Sequence, residues 1–253
     1  TLEDCIVEGS LPRFRKLKLV GPEVHTTRFE MNSIIDFTMQ GPTHLTPPNL
    51  QDVVSLSMSG GYIAELKNLK SMSKLRNLSF QHCQINELAT HGVGYPSPPC
   101  LLQLRSTDLS HTIIEDVAFK ALASSMYKIT CLDISYSSIT GEGFVAIKGL
   151  LQLRELNLRG CKLQDGNLIH LTNLVNLEKL NLLDIAELSE STVELLPAFL
   201  PVLQTLYLGG NAVQTWNCFL ALKNLYWLTE LALRQPCVTE ECVMHFMEMP
   251  NLR

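Results

Sequence analysis

The feature that most constrains this chain is a leucine pattern that recurs along most of its length. The clearest copy reads Leu153-Arg-Glu-Leu156-Asn-Leu158-Arg-Gly-Cys161-Lys-Leu163. We take the second apolar position of each copy as its centre. The centres then fall at residues 17, 37, 56, 78, 107, 132, 156, 180, 206 and 231, with steps of 19 to 29 residues. Ten copies in one register predict a stack of equivalent structural turns.

The spacing within each copy predicts a short β-strand. Alternate residues of a strand point to opposite sides, so Leu156 and Leu158 face inward and the residues between them face outward. The Asn or Cys that follows, as at Asn211, Cys83 and Cys161, turns the chain inward, and the chain returns by a helix or an irregular segment. No turn buries its own leucines, so neighbouring turns must stack on one another.

The pattern L-x-x-L-x-L-x-x-(N/C)-x-L resembles the signature of the leucine-rich-repeat family, most strongly over residues 75–88 and 129–253. The resemblance implies an α/β solenoid of about ten repeats. In such a curved horseshoe a parallel β-sheet lines the concave side, and short helices and irregular segments form the convex side. The C-terminal repeats resemble the cysteine-containing, F-box-type subfamily through Cys161-Lys-Leu-Gln-Asp-Gly166 and Ser137-Ser-Ile-Thr-Gly-Glu-Gly143.

The repeat lengths divide the chain into two regions of one leucine-rich-repeat domain, residues 1–253. Residues 1–100 hold short, irregular repeats with Pro/Gly loops, and residues 101–253 hold regular repeats of 24 to 26 residues. Helices are predicted to begin at Thr140, Ser189 and Thr239, whereas the short repeats return by extended or 3-10 segments. Residues 90–99 form a loop that serves either as a spacer or as a contact. Residues 250–253 resemble the start of another repeat, so we expect this chain to be a fragment of a longer one.

Composition narrows the classes of function. The net charge of −5, from 25 acids and 20 bases, argues against nucleic acid as a partner. No apolar run reaches the roughly 18–20 residues that span a bilayer. The eight cysteines lack the tight spacing of a secreted disulfide framework, which favours reduced thiols and a cytoplasmic or otherwise intracellular location.

The sequence contains no recognisable catalytic motif. It has no phosphate-binding loop, no C-x-x-C and no H-E-x-x-H, so we predict no catalytic residue, metal, cofactor or small-molecule substrate. His82 and His111 occupy equivalent repeat positions, close to Asp108 and Ser110, and they are expected to lie near each other. A polar edge of a binding surface explains them better than catalysis, because the sequence shows neither an enclosing pocket nor an orienting partner.

Outward-facing strand residues are the candidates for binding. Tyr and Arg most often anchor protein interfaces. The predicted binding residues on the concave face are Tyr136, Arg159, Tyr207, Arg234, Asp133 and Asn157. A merely solvated face is the alternative. Trp216, Tyr226 and Trp227 are expected to pack between helices on the convex side, where an exposed Trp would instead mark a second interface.

These observations predict a non-catalytic scaffold that binds one or more protein partners on its concave face. Three alternatives remain open: the substrate-recognition part of a ubiquitin ligase, a structural subunit of a large assembly, and the ligand-binding domain of a receptor. The first depends on an F-box outside this chain. The second predicts exposed apolar patches on the convex side, and the third predicts cysteine-rich caps and several glycosylation sites. Fold alone does not separate them.

Overall fold

Every predicted repeat centre lies in a β-strand of the computed structural model. The structure describes residues 2–3, 15–21, 34–41, 44–45, 51–63, 66, 69, 72–85, 101, 103–209, 217–234 and 240–253. Two compact units are present, Thr1–Ile129 and Thr130–Arg253. Four predicted features lie outside the described residues: the loop at residues 90–99, the turn residue Asn211, the packed Trp216 and the helix start Thr239.

Each unit contains a parallel sheet. In the first unit its strands are, in spatial order, β1 (Leu2–Glu3), β2 (Lys16–Val20), β3 (Asp36–Gln40), β5 (Ser55–Ser59), β7 (Asn77–Gln81) and β9 (Ser106–Asp108). In the second unit they are β11 (Cys131–Asp133), β12 (Glu155–Asn157), β13 (Lys179–Asn181), β14 (Thr205–Gly209) and β15 (Glu230–Arg234). The strand β1 is an addition to the ten predicted centres.

The register of the sheets matches the repeat register. Leu156 pairs with Leu132 and Leu180, and Leu206 pairs with Leu180 and Leu231. In the first unit Leu56 pairs with Phe37 and Leu78 in the same way. Side chains alternate between buried and partly exposed along most of these strands, as in the exposed–buried pattern of Lys16–Val20, but Thr205 is also buried in β14 and no side chain of β15 is buried. The leucines of successive turns therefore form one continuous core within each unit.

The return segments differ between the units, as the repeat lengths predict. In the first unit four short strands form a separate, smaller parallel sheet: β4 (His44–Leu45), β6 (Tyr62–Ile63), β8 (Gln84–Ile85) and β10 (Ile113–Ile114). One helix, α1 (Asp116–Ala123), follows β10. Extended returns suit steps of 19 to 22 residues, which leave little room for a helix.

Helical returns dominate the second unit. They are α2 (Gly141–Phe144), a first 3-10 helix (Val145–Gly149), a second 3-10 helix (Asp165–Asn173), α3 (Glu190–Phe199), α4 (Asn217–Leu222) and α5 (Glu240–Met247). Thr140 caps α2 as predicted, because its side chain accepts a hydrogen bond from Glu142 N. Ser189 precedes α3 but its hydroxyl hydrogen-bonds Asp165 and Ser191 instead of capping the helix.

The prediction for Tyr226 and Trp227 was wrong. Both side chains are exposed, and their rings meet edge to face at 5.6 Å in the turn that leads into β15. The pattern did not separate this turn from the helix before it, and Leu225 and Leu228 fill the buried positions on either side. Among the described residues no helix has the length and apolar character to cross a membrane.

Candidate interaction surface on the second sheet

At the strand ends of the second unit, outward Asp and Asn side chains accept hydrogen bonds from backbone N–H groups two residues further along the chain. Asp133 Oδ1 accepts hydrogen bonds from Ser135 N at 2.8 Å and from Ser135 Oγ at 2.6 Å. Asn157 Oδ1 accepts from Arg159 N at 3.2 Å, and its Nδ2 donates to Asp133 Oδ2 at 2.8 Å. Such Asx turns redirect the backbone as the strand ends. Asp133 and Asn157 therefore hold the turns that carry Tyr136 and Arg159.

Three of the predicted residues converge on one carboxylate that the sequence analysis did not single out, Asp184. Tyr136 Oη donates to Asp184 Oδ2 at 2.8 Å, and Arg159 Nε donates to the same oxygen at 2.8 Å. Arg234 Nη1 donates to Oδ1 at 2.9 Å and to Oδ2 at 3.0 Å. The Arg159 guanidinium also lies over the Tyr136 ring, 5.5 Å from its centroid. We call Tyr136, Arg159, Asp184 and Arg234 the Asp184 cluster.

The backbone places these side chains through a left-handed turn that recurs after β11, β12 and β13. Tyr136 and Asp184 have φ angles of 53° and 58°, in the left-handed region. Gly160 has the equivalent place between them, with φ of 65°. A Cβ atom there would lie 2.4 Å from two ring carbons of Tyr136, so the glycine provides the space over which the ring extends toward Asp184.

Electrostatics fix the protonation states within the cluster. The hydrogen bond from Arg159 lowers the pKa of Asp184, with further contributions from the Tyr136 hydrogen bond and from the charges of Arg159 and Arg234. The hydrogen bond to Asp184 raises the pKa of Tyr136 and that of Arg159. At neutral pH the cluster therefore combines an ionised carboxylate, two guanidinium cations and a neutral phenol that donates its proton.

Tyr207 belongs to a neighbouring part of the same face. Its Oη donates to Glu230 Oε1 at 2.8 Å, and this hydrogen bond raises the pKa of Tyr207. Lys179 Nζ donates to Glu155 Oε1 at 2.8 Å, which raises the pKa of Lys179. Tyr207 lines a shallow depression of about 240 Å³ with residues of β11, β12 and β13: Cys131, Leu132, Asp133, Glu155, Leu156, Asn157, Lys179, Leu180 and Asn181.

In the first unit the two histidines lie together, as their repeat positions predict. The rings of His82 and His111 stack with centroids 4.6 Å apart, and both residues have left-handed φ angles. The neighbouring Asp108 accepts hydrogen bonds from Ser110 N at 2.9 Å and from Gln81 Nε2. Within the described ranges, no group of three or more His, Cys, Asp or Glu side chains is arranged to hold a metal ion.

Cys83 and Cys161 are buried thiols in equivalent turns. The Sγ of Cys161 lies 3.1 Å from Ile134 O, and that of Cys83 lies 3.4 Å from Met58 O. Burial raises the pKa of Cys161 to about 12 and also raises that of Cys83. Both side chains therefore act as small space-filling groups with a weak S–H donor, and not as nucleophiles.

Comparison with known proteins agrees with this geometry. The profile of the Leucine Rich Repeat family matches residues 152–174, which contain β12 and the second 3-10 helix. The fold is a leucine-rich-repeat solenoid. No curated protein sequence is significantly similar to the chain.

The similar solved structures include two internalins of Listeria monocytogenes. Internalin inlF is 15% identical with a TM-score of 0.54, over 93% of this chain and 73% of its own. Internalin C2 is 24% identical with a TM-score of 0.54, over 73% of this chain and 72% of its own. The mouse RP105/MD-1 complex gives 16% identity and a TM-score of 0.66, over 92% of this chain and 40% of the other. At these identities the likeness concerns the fold.

Proposed function

We propose that this chain is a non-catalytic protein–protein interaction scaffold that binds its partner on the outward face of the sheet formed by β11–β15 in the second unit. The observation that carries the proposal is the Asp184 cluster, in which an aromatic side chain and two arginines are held by one carboxylate. Tyr136 remains 40% exposed, and the Arg234 side chain 54% exposed. Tyr and Arg are the residue types that dominate binding energy at interfaces.

Preorganisation is the physical reason to place the partner there. A long side chain that is already held loses less rotamer freedom on binding, which otherwise costs about 0.5–1.5 kcal/mol for each immobilised side chain. Asp184 holds Arg159 and Arg234 in this way, and Gly160 leaves the Tyr136 ring in place. The side chains held in the cluster can therefore meet a partner at a lower entropic cost than free side chains.

The experiment compares matched variants in affinity enrichment from a native extract with quantitative mass spectrometry. The test variant carries Tyr136→Ala with Arg234→Ala. The control carries Tyr127→Ala with Lys148→Ala, which removes an exposed aromatic and an exposed cationic side chain that lie outside the cluster. We expect a protein enriched by the wild type to fall at least about tenfold with the test variant, since two hot-spot residues contribute about 1 kcal/mol or more each. Retention by the test variant, or equal loss with the control, would contradict the proposal.

The alternatives differ in what supports them. The role of a structural subunit has one supporting observation, because several large apolar side chains on the helical side of the second unit are exposed, among them Ile169, Leu195 and Met244. A ubiquitin-ligase role still depends on an F-box in sequence that flanks this chain. The intracellular location stays a prediction, with the buried thiols of Cys83 and Cys161 as its support.

A further inference from the structure

A line of exposed apolar side chains follows the helical side of the second unit. Its members come from successive helical segments, and we call them the outer stripe: Ile169, Leu195, Leu220 and Met244. Their exposed fractions are 53%, 51%, 39% and 64%. Ile169, Leu195 and Leu220 each stand eleven residues before the centres of the following strands, residues 180, 206 and 231. Met244 follows Leu220 by 24 residues, one repeat length.

The buried neighbours of the stripe residues show that the stripe faces away from the core. In the second 3-10 helix Leu168 and Leu171 are buried on either side of Ile169, and Leu196 is buried beside Leu195 in α3. The inward positions are thus filled, and the stripe residues face away from the core. The second 3-10 helix packs against α3, α3 against α4, and α4 against α5. Equivalent positions on packed neighbours form a connected patch. A connected apolar patch indicates an interaction site, whereas single scattered apolar residues do not.

The segments that carry the stripe are acidic in sequence. The segments 165–173, 190–199, 217–224 and 240–248 contain six acids and one lysine, a difference of −5, equal to the net charge of the whole chain. The acids are Asp165, Glu190, Glu194, Glu240, Glu241 and Glu248, and the base is Lys223. A second copy would bring the same acids to the interface, and an anionic membrane surface would repel them. The complementary occupant is apolar along its centre and basic at its margins.

We propose that the outer stripe is a second docking surface, which binds a basic amphipathic helix of a partner protein. Neighbouring packed helices lie about 8–10 Å apart, and residues seven apart on a helix are separated by about 10.5 Å. Apolar residues in heptad spacing on the partner therefore meet successive members of the stripe. The lysines and arginines of the partner helix meet the acids of the segments that carry the stripe. This surface is separate from the Asp184 cluster, and its test does not depend on the function proposed for the outward sheet face.

The test uses two fluorescent synthetic peptides of about 18 residues, a length that spans roughly 27 Å of helix. One has leucines on one face and lysines on the other, and its partner peptide has glutamates in place of the lysines. Fluorescence anisotropy measures binding to the whole chain. The stripe variant is Leu195→Ser with Leu220→Ser. The matched control is Leu151→Ser with Val175→Ser, since Leu151 and Val175 are 52% and 53% exposed in the turns that lead into β12 and β13. A charge variant, Glu194→Lys with Glu248→Lys, leaves the stripe intact.

The proposal predicts that the Leu–Lys peptide binds the wild type, that the stripe variant weakens binding about tenfold or more, and that the control variant leaves it unchanged. It also predicts weaker binding by the charge variant, and by the wild type at higher salt. The proposal is overturned by equal binding of the Leu–Glu peptide, by an equal loss with the control, or by no binding of the Leu–Lys peptide. A wild-type dimer in sedimentation that the stripe variant abolishes would identify a second copy as the occupant and overturn it too. Stripe-dependent binding to phosphatidylserine vesicles would overturn it in favour of a membrane.

Discussion

Gly160 offers the most direct test of how the turn geometry supports the Asp184 cluster. Its φ angle of 65° suits glycine, and a Cβ atom would stand 2.4 Å from the Tyr136 ring. A left-handed alanine costs roughly 1–2 kcal/mol, and moving Tyr136 off its rotamer costs about 0.5–1.5 kcal/mol more. Alanine also reduces the entropy of the unfolded chain, which offsets about 0.4–1 kcal/mol. We therefore expect Gly160→Ala to lower the free energy of unfolding by about 2 kcal/mol.

The matched control is Gly149→Ala. Gly149 ends the first 3-10 helix, and a Cβ atom built there meets nothing within 4 Å. Only the unfolded-state effect remains, so this variant should be neutral or more stable by about 0.4–1 kcal/mol. Urea denaturation followed by circular dichroism gives both values, provided that the m-value stays constant. Equal midpoints for the two variants would refute the role assigned to Gly160.

Three further predictions concern charge, thiols and the core. The folded-state pKa of Asp184 is lowered, so its stabilising contribution is present above the ordinary carboxyl pKa and is lost as pH falls through the lowered value. The difference in stability between the wild type and Asp184→Asn should therefore shrink below about pH 4. A constant difference down to about pH 2 would contradict this. Cys83 and Cys161 should resist iodoacetamide at pH 8 in the folded protein and react in urea, as followed by mass spectrometry, because burial raises both pKa values; rapid alkylation under native conditions would disprove the buried-thiol assignment. Leu206→Ala should destabilise the protein by about 2–5 kcal/mol, since Leu206 is fully buried, whereas Leu151→Ala at an exposed position should stay within about 0.5 kcal/mol in the same urea assay.

The positions of the binding candidates were predictable only in part. Alternation along the strands identified Asp133, Asn157 and Tyr207 as outward, and the register aligned them on neighbouring strands. Asp184 was not recognised because the prediction favoured Tyr and Arg as interface anchors, although Tyr136 occupies the same position four residues after its strand centre. One signal was present in the sequence: glycine recurs at this position, as at Gly60 and Gly160, and aspartate tolerates the same left-handed backbone.

The sequence by itself determined the repeat register, the alternation of buried and exposed strand positions, and the difference between extended and helical returns. Each of these depends on spacing along the chain, which is local information. Tertiary structure alone decided that Tyr136, Arg159 and Arg234 share the Asp184 carboxylate, since Tyr136 and Asp184 are 48 residues apart and Arg234 and Asp184 are 50 apart. It also decided that Tyr226 and Trp227 face solvent. Such contacts depend on how successive turns stack and on which rotamers that stacking permits. The repeat period determines neither of these.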